Sequence, residues 1–392
     1  MVLKVSTTNR ISPFLAMEMM NATRKLEVNG ADLMHLEIGQ PSTPPPSAVL
    51  QALSKSLGNP QTHGYSLAFG EMQLRQRIAA HYQDWYGYRP DPDSIAVTLG
   101  SSLGFALAFL GAFDRGDRIA LANPGYPAYR NIMLALGLEP VLLPSRAAEG
   151  WLPRLKALAN DSKLPDGLLL ASPANPTGVV MSDAQLKHIC QWCDANGVRL
   201  IMDEIYHGLT FDSWPTSAVV HSDSVIVVNS FSKYFCMTGW RLGWMVLPDA
   251  LLEITERLAQ NLYIGPSRPM QEGAMAAFDN YDTLDQNVWR YRENRDVLLR
   301  DLPPEFLGDM APACGAFYIY ADLTQLSKKV LNSVDFAEAL LVDAHVACTP
   351  GVDFDQELGH QHLRLSYAGS IDDMLEASRR INSWLPSYLK NL

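Results

Sequence analysis

The middle of the chain alternates short apolar runs with longer stretches in which apolar residues recur at helical spacing. The apolar runs have the length of strands, and we predict strands at Ile95–Leu99, Arg118–Ala122, Leu168–Ala171, Arg199–Met202 and Ser224–Val228. Between them the pattern predicts helices such as Leu103–Phe113, Tyr126–Leu136 and Ser182–Asn196. Because the strands are apolar on both faces and helices separate them, an α/β fold with a mainly parallel sheet sandwiched by helices is predicted.

The C-terminal part of the chain has a different pattern. Strand-like and helical stretches follow one another there at Ala316–Ala321, Ser333–Ala344, Val346–Pro350 and His362–Ser366. This order indicates a smaller α+β unit. We therefore predict a large domain of residues 46–288 and a small domain formed by residues 1–45 and 289–392.

Length and charge narrow the class of protein. The chain has 392 residues, of which 47% are hydrophobic, and this is enough for two domains with buried cores. The net charge of −11 carries no basic excess, which argues against binding to nucleic acid. No apolar run approaches a membrane span, and residues 1–13 lack the pattern of a signal peptide. We expect a cytoplasmic protein that is not bound to a membrane.

The cysteines point to reduced thiols. They are Cys190, Cys193, Cys236, Cys314 and Cys348. An odd, scattered set in a long chain is not typical of a disulfide framework. The C-x-x-C pair shares one helical face with Leu186 and Ile189, and no second Cys or His pair follows at zinc-site spacing, so we predict core residues and no metal site.

The chemistry centres on Lys233, in the run Ser230-Phe-Ser-Lys233 that follows a predicted strand. Open α/β sheets bind ligands at the carboxyl ends of their strands. A partly desolvated lysine can form a Schiff base there, although a lysine at a strand end is more often a solvated surface residue. Arg241 follows between two glycines, Gly239 and Gly243, and a phosphate needs such a cation.

Other motifs add charges that need partners. Asp203 ends the apolar run Arg199–Met202, where a carboxylate requires a cation unless it caps a helix. The turn Gly100-Ser-Ser-Leu-Gly104 opens a predicted helix, whose N-terminal N–H groups can bind an anion. Arg364 lies in the small domain, and its two parallel donors suit a carboxylate.

Together these motifs resemble fold-type-I aminotransferases that depend on pyridoxal 5'-phosphate (PLP), the aspartate aminotransferase superfamily. The signature is Ser230–Lys233 with Gly239-Trp-Arg241-Leu-Gly243, and other blocks match in order over nearly the whole chain. The block Ser172-Pro-Ala-Asn175-Pro-Thr-Gly178 departs from the family pattern only in having Ser172 where Asn is common. The resemblance implies a PLP enzyme of amino-acid metabolism.

The resemblance also implies roles for individual residues. Lys233 holds PLP and moves the substrate proton, and Asp203 pairs with the pyridinium nitrogen. Tyr206 and Asn175 contact the cofactor's O3', and Tyr126 stacks on its ring. The phosphate site is formed by Gly100, Ser101, Ser102, Ser230, Arg241 and Tyr65 of the neighbouring subunit. A shared site implies a homodimer.

The substrate carboxylate is expected at Arg364, at the backbone of Gly39 and at Asn175. Because Arg364 and Gly39 belong to the small domain, we expect substrate to close it onto the large one. Donor and acceptor would use one site in turn, with ping-pong kinetics.

The choice of substrate is less constrained. Ser102 stands where some aspartate-specific relatives have a lysine, and Tyr126 where many have a tryptophan, which favours neutral or aromatic amino acids with pyruvate or 2-oxoglutarate as acceptor. Arg268 is a loose candidate for a distal carboxylate. Three alternatives stay open: an aspartate aminotransferase, a PLP-dependent carbon–sulfur β-lyase and a non-enzymatic sensor domain.

Overall fold

The fold is given by a computed structural model that describes residues 3–4, 11–159, 163–326 and 332–391. Within these ranges the helices are α1 (Leu15–Val28), α2 (Ser47–Leu57), α3 (Met72–Tyr86), α4 (Gly100–Ala112), α5 (Pro127–Leu136), α6 (Leu155–Ala159), α7 (Asp183–Asn196), α8 (Leu252–Leu262), α9 (Arg268–Met275), α10 (Tyr281–Asp301), α11 (Pro304–Leu307), α12 (Ser333–Ala344) and α13 (Ile371–Asn391). The strands are β1 (Met34–His35), β2 (Ile95–Thr98), β3 (Arg118–Asn123), β4 (Glu139–Pro144), β5 (Gly167–Ala171), β6 (Arg199–Asp203), β7 (Ile226–Ser230), β8 (Gly243–Val246), β9 (Tyr318–Asp322), β10 (Val346–Ala347), β11 (Thr349–Pro350) and β12 (His362–Ser366). In the described part of the chain, no helix is long and apolar enough to cross a membrane.

The central sheet has seven strands in the order β2-β8-β7-β6-β5-β3-β4. All neighbours run parallel except β8, which is antiparallel to both β2 and β7. Adjacent residues of β7, Val227 and Val228, belong to different apolar clusters, so the sheet is buried on both faces. The predicted α/β fold with a mainly parallel, helix-covered sheet is confirmed.

Two strands of this sheet were not predicted, and the ends of β7 and α4 were placed wrongly by two residues or more. β4 is an edge strand that contains Pro140 and Pro144, which hide its strand pattern, and β8 begins inside the glycine-rich signature motif. β7 continues to Ser230 instead of ending at Val228, and α4 begins at Gly100 instead of Leu103. Small residues carry no apolar signal, so periodicity alone did not detect these ends.

Two further sheets are small. β1 pairs with β10 in parallel, and β11, β12 and β9 form an antiparallel sheet. The predicted run Val346–Pro350 is therefore two strands with different partners. The division into a large domain of residues 46–288 and a small domain of residues 1–45 and 289–392 stays a prediction. Residues 1–2, 5–10, 327–331 and 392 of the small domain lie outside the described ranges.

Helix α7 has clear local determinants. Ser182 caps it in a reciprocal arrangement with Gln185, and Gly197 ends it in the left-handed conformation. The predicted core face is confirmed, since Cys190 and Cys193 are buried free thiols.

The carboxyl ends of three strands meet at one edge of the central sheet. Thr98 of β2 and Ser230 of β7 both pair with Gly243, and Asp203 ends the neighbouring β6. This edge therefore collects the start of α4, the Asp203 side chain and the loop that carries Lys233.

Candidate active site

A cavity of about 470 Å³ opens at this edge of the sheet. Most of the residues predicted for the site line it: Gly39, Ser101, Ser102, Tyr126, Asn175, Asp203, Tyr206, Lys233, Arg241 and Arg364. The other three, Gly100, Ser230 and Tyr65, do not form part of its wall. The roles of all of these residues stay predictions.

Lys233 lies three residues beyond β7 and points into the cavity. Its Nζ donates a hydrogen bond of 2.6 Å to the carbonyl of Gly39 and lies 5.9 Å from the centres of the Tyr206 and Phe317 rings. Burial, with the charges of Arg364 and Arg241, lowers the pKa of Lys233 to about 8. A substantial share of the amine is therefore neutral near physiological pH.

Asp203 is one of the two acidic residues that line the cavity, and the other is Glu37. Burial raises the pKa of Asp203 to about 6, and hydrogen bonds that it accepts from the Tyr129 hydroxyl and the Ile205 amide oppose this shift. Its side chain accepts the Ile205 N–H within a turn instead of capping a helix. A cation in the cavity would stabilise this buried carboxylate.

Two tyrosine hydroxyls meet behind Lys233. Those of Tyr206 and Tyr318 lie 2.7 Å apart and are both buried. The Tyr318 ring also packs on the guanidinium of Arg364, whose central carbon lies 4.5 Å from the ring centre. The Tyr318 hydroxyl leaves no room for a side chain at Gly39. Tyr318 thus contacts three of the predicted site residues.

Arg364 lies in the middle of β12 and is only 2% exposed. Its Nη1 donates to Asn175 Oδ1 at 3.2 Å, and its Nη2 donates to the Glu37 carbonyl at 2.5 Å. The guanidinium is held between the rings of Tyr318 and Phe354. Its buried Nε has no hydrogen-bond partner, so the group has a free donor.

Arg241 and the start of α4 form another part of the cavity wall. Gly100 has φ +76°, and a side chain on it would collide with the Arg241 guanidinium. Gly100 therefore makes room for the arginine beside Ser101 and Ser102 in the first helical turn. This combination of a cation with a helix N-terminus suits an anion.

The structure does not bring Ser230 and Tyr65 to the cavity wall. The Ser230 hydroxyl lies within the turn, 3.1 Å from the Leu242 carbonyl and 2.8 Å from the hydroxyl of Ser232, which does line the cavity. Tyr65 is 83% exposed on the surface of the chain.

Sequence reasoning missed several residues of the cavity. Among them are Phe14, Ala16, Met17, Tyr129, Ser232 and Tyr318. Ser232 stood inside the quoted lysine motif, and Tyr318 inside a predicted strand. The contact of Tyr129 with Asp203 depends on tertiary structure and had no signal in the sequence. In the described residues, no group of three or more His, Cys, Asp or Glu side chains could hold a metal ion.

Comparison with known proteins gives a consistent assignment. Residues 31–381 match the family described as aminotransferase class I and II. The chain is 43% identical over 388 residues to the valine–pyruvate aminotransferase of Mycobacterium tuberculosis, covering 98% of this chain and 99% of that protein.

Solved structures agree with this match. An aminotransferase from Mycobacterium tuberculosis superposes with a TM-score of 0.94 and 42% identity, covering 98% of this chain and all of that one. The aspartate aminotransferase of Thermus thermophilus, solved with maleate, has a TM-score of 0.90 and 26% identity over 97% of this chain and 100% of its own. The fold-type-I architecture is thereby confirmed, and the non-enzymatic alternative is not supported. The chain belongs to the class I and II aminotransferases and is an enzyme.

Proposed function

We propose that this aminotransferase binds PLP on Lys233 and transfers the amino group of a neutral L-amino acid, such as valine, to a 2-oxo acid such as pyruvate. The observation that carries the proposal is the set of charges around one cavity: the amine of Lys233, the carboxylate of Asp203 and the guanidinium groups of Arg241 and Arg364. The valine–pyruvate activity named for the relative at 43% identity supports the donor and the acceptor.

The cavity fits PLP in its donor and acceptor groups. Arg241 beside the first turn of α4 suits a phosphate, for which Gly100 leaves the space. Asp203, buried and with a raised pKa, suits a protonated ring nitrogen. The unpartnered Nε of Arg364 is free for a substrate carboxylate.

The chain's own groups then divide the work. PLP, when bound, supplies the electron sink that makes the substrate's α-carbon acidic. Arg364 holds the α-carboxylate and so directs the α-hydrogen. The neutral Nζ of Lys233, with its lowered pKa, removes that proton. Asp203 would hold the ring nitrogen in its protonated form, and Tyr206 would donate a hydrogen bond to the hydroxyl oxygen of the cofactor.

The charges also support a neutral donor over a dicarboxylate. Among the described residues that line the cavity, the cations are Lys233, Arg241 and Arg364, and each has a partner in the proposal. Arg268 does not line the cavity, and it forms an ion pair with Glu71 at 3.1 Å. Among the described residues that line the cavity, no cation is left for a second carboxylate.

We also propose that the enzyme works as a homodimer in which Tyr65 reaches the phosphate of the partner's site. The exposed apolar side chains Tyr65 and Leu67 support this, as does Ile264, which is 48% exposed. The two segments lie side by side, because Ser66 Oγ donates to the Pro266 carbonyl at 2.6 Å. Such a patch is typical of a protein interface.

A single half-reaction tests the proposed function. The PLP-loaded enzyme is mixed with L-valine in the absence of any 2-oxo acid, and the products are counted. We expect one 2-oxo acid per site and no ammonia, with a much slower reaction for L-aspartate. With both substrates present, initial rates should give parallel double-reciprocal lines.

Three results would contradict the proposal. Continued release of oxo acid together with ammonia would indicate a lyase. Reaction with aspartate and glutamate alone would exclude a neutral donor. Intersecting double-reciprocal lines would exclude a ping-pong mechanism.

A further inference from the structure

The first turn of helix α1 covers the cavity. Phe14, which precedes the helix, and Ala16 and Met17 within it all line the same cavity as Lys233. Phe14 packs edge-on against Tyr126, with ring centres 5.7 Å apart. Met17 is 47% exposed, so part of its side chain is open to a ligand in the cavity.

This side of the cavity is apolar. Phe14, Ala16, Met17 and Ile38 contribute apolar side chains to the wall. The charged residues that line the cavity are Glu37, which precedes Ile38 in the loop after β1, Asp203 on β6, Arg364 on β12, and Lys233 and Arg241 in the loop after β7. An aliphatic side chain would gain burial here, whereas a charged one would lose its water without a partner.

Asp353 holds this turn in place. No side chain of α1 or of Phe14 caps the helix. Instead, the carboxylate of Asp353 accepts hydrogen bonds of 3.3 Å from the amides of Leu15 and Ala16. Asp353 is 4% exposed, so a buried anion meets the positive end of the helix dipole.

The anchoring residue belongs to the segment that carries the substrate-binding arginine. Asp353 follows β11, which pairs with Arg364 of β12 through Thr349. The rest of α1 packs on Leu341 and Ala347 of the same unit. The apolar wall and the guanidinium are thus attached to one structural unit.

We propose that the first turn of α1 selects donors with an aliphatic side chain, and that Asp353 is a positioning residue that keeps this wall on the cavity. The inference rests on the proposed function and adds to it the residues that choose the substrate. It predicts two separable effects: Met17 sets which donor is preferred, and Asp353 sets how well any donor is bound.

The first test changes the wall. Met17→Lys places a cation at the cavity mouth, and we expect the ratio of kcat/KM for valine to that for aspartate to fall by about tenfold or more. Glu18→Gln is the matched control, because removing its negative charge changes the net charge by the same +1 and Glu18 does not line the cavity. An unchanged ratio in Met17→Lys, or an equal fall in the control, would overturn the role of the wall.

The second test loosens the anchor. We expect Asp353→Ala to raise the KM for valine several-fold more than it lowers kcat, and to speed hydrogen–deuterium exchange in residues 14–20. Asp353→Asn, whose amide oxygen still accepts a hydrogen bond, should recover part of both effects. Exchange that is unchanged, or a fall in kcat with unchanged KM, would overturn the positioning role.

The proposed function and the inference about the apolar wall can be disproved separately. If the unmodified enzyme transaminates no amino acid, the proposed function is wrong. If it transaminates valine and Met17→Lys keeps the same donor profile, only the inference about the wall is wrong.

Discussion

At the scale of single residues, the cavity contains an amine whose pKa is shifted toward neutrality. The pKa of Lys233 falls from 10.5 to about 8 because burial and two guanidinium groups disfavour its charged form. The neutral amine is the form that bonds to a carbonyl, so its protonation controls the loading of PLP.

We therefore predict a pH dependence for the uptake of PLP by the apoprotein. The rate should rise by about tenfold per pH unit below the pKa and level off above it, since the neutral fraction follows that course. The plateau should begin near pH 8. Stopped-flow absorbance measures this rate, and a plateau only near the ordinary lysine pKa would contradict the predicted desolvation.

Tyr318 is the second residue whose role can be tested in isolation. A tyrosine hydroxyl has one proton, so if Tyr206 donates into the cavity, it must accept its 2.7 Å bond from Tyr318. We predict that Tyr318→Phe weakens the hydrogen bond that Tyr206 donates. The PLP-loaded enzyme is titrated with pH and followed by its visible absorbance, and the midpoint of this titration should rise.

Tyr320→Phe is the matched control for that substitution. Tyr320 lies in the same strand, its buried hydroxyl has no partner, and it does not line the cavity. Its variant should leave the midpoint unchanged. Equal shifts in the two variants would mean that the Tyr206–Tyr318 contact has no special role.

The sequence predicted the charged residues of the site better than the residues around them. Lys233, Asp203 and Arg364 belong to motifs, and a buried charge requires a partner of opposite charge or a hydrogen-bonding group. Tyr318 and Met17 are apolar or amphipathic residues in apolar surroundings, where periodicity predicts only core. Their contact with the cavity follows from tertiary packing.

At the scale of elements, the start of α4 depends on a residue without a side chain. Gly100 is in the left-handed conformation, and a Cβ there would strike the Arg241 guanidinium. Because glycine adds nothing to an apolar pattern, the start of the helix was predicted at Leu103 instead of Gly100. A local backbone requirement thus explains both the missed boundary and the position of the arginine.

We predict that Gly100→Ala weakens the binding of PLP. The left-handed conformation alone costs about 1–2 kcal/mol for a residue with a Cβ, and the displaced arginine adds to this. Equilibrium dialysis against PLP measures the change. Gly197→Ala is the control, because Gly197 is also in the left-handed conformation, a Cβ there meets nothing within 4 Å and the residue does not line the cavity. Similar losses in both variants would argue against the predicted phosphate site.

At the scale of the whole molecule, the α/β architecture followed from hydrophobic periodicity, whereas the assembly did not. Strands buried on both faces leave a strong signal, and the predicted central strands formed within a few residues. The domain boundaries and the dimer stay predictions, because they depend on long-range packing and on contacts beyond a single chain. The cytoplasmic location also stays a prediction.

Subunit mixing tests the shared site. We predict that Tyr65→Ala loses affinity for PLP and that Lys233→Ala is inactive. Mixed dimers of the two should regain activity in one site each, about a quarter of all sites after random exchange of equal amounts. Activity of the mixture no higher than that of the separate variants would exclude a contribution of Tyr65 to the partner's site.

The central claim, that Lys233 carries the cofactor and is released during amino transfer, can be tested by borohydride reduction followed by peptide mass mapping. If Lys233 carries the cofactor, we expect a fixed pyridoxyl label on Lys233 in the PLP-loaded enzyme. The label should be lost when L-valine is added before reduction and regained when pyruvate follows. No label on Lys233, or a label that valine leaves unchanged, would contradict the account.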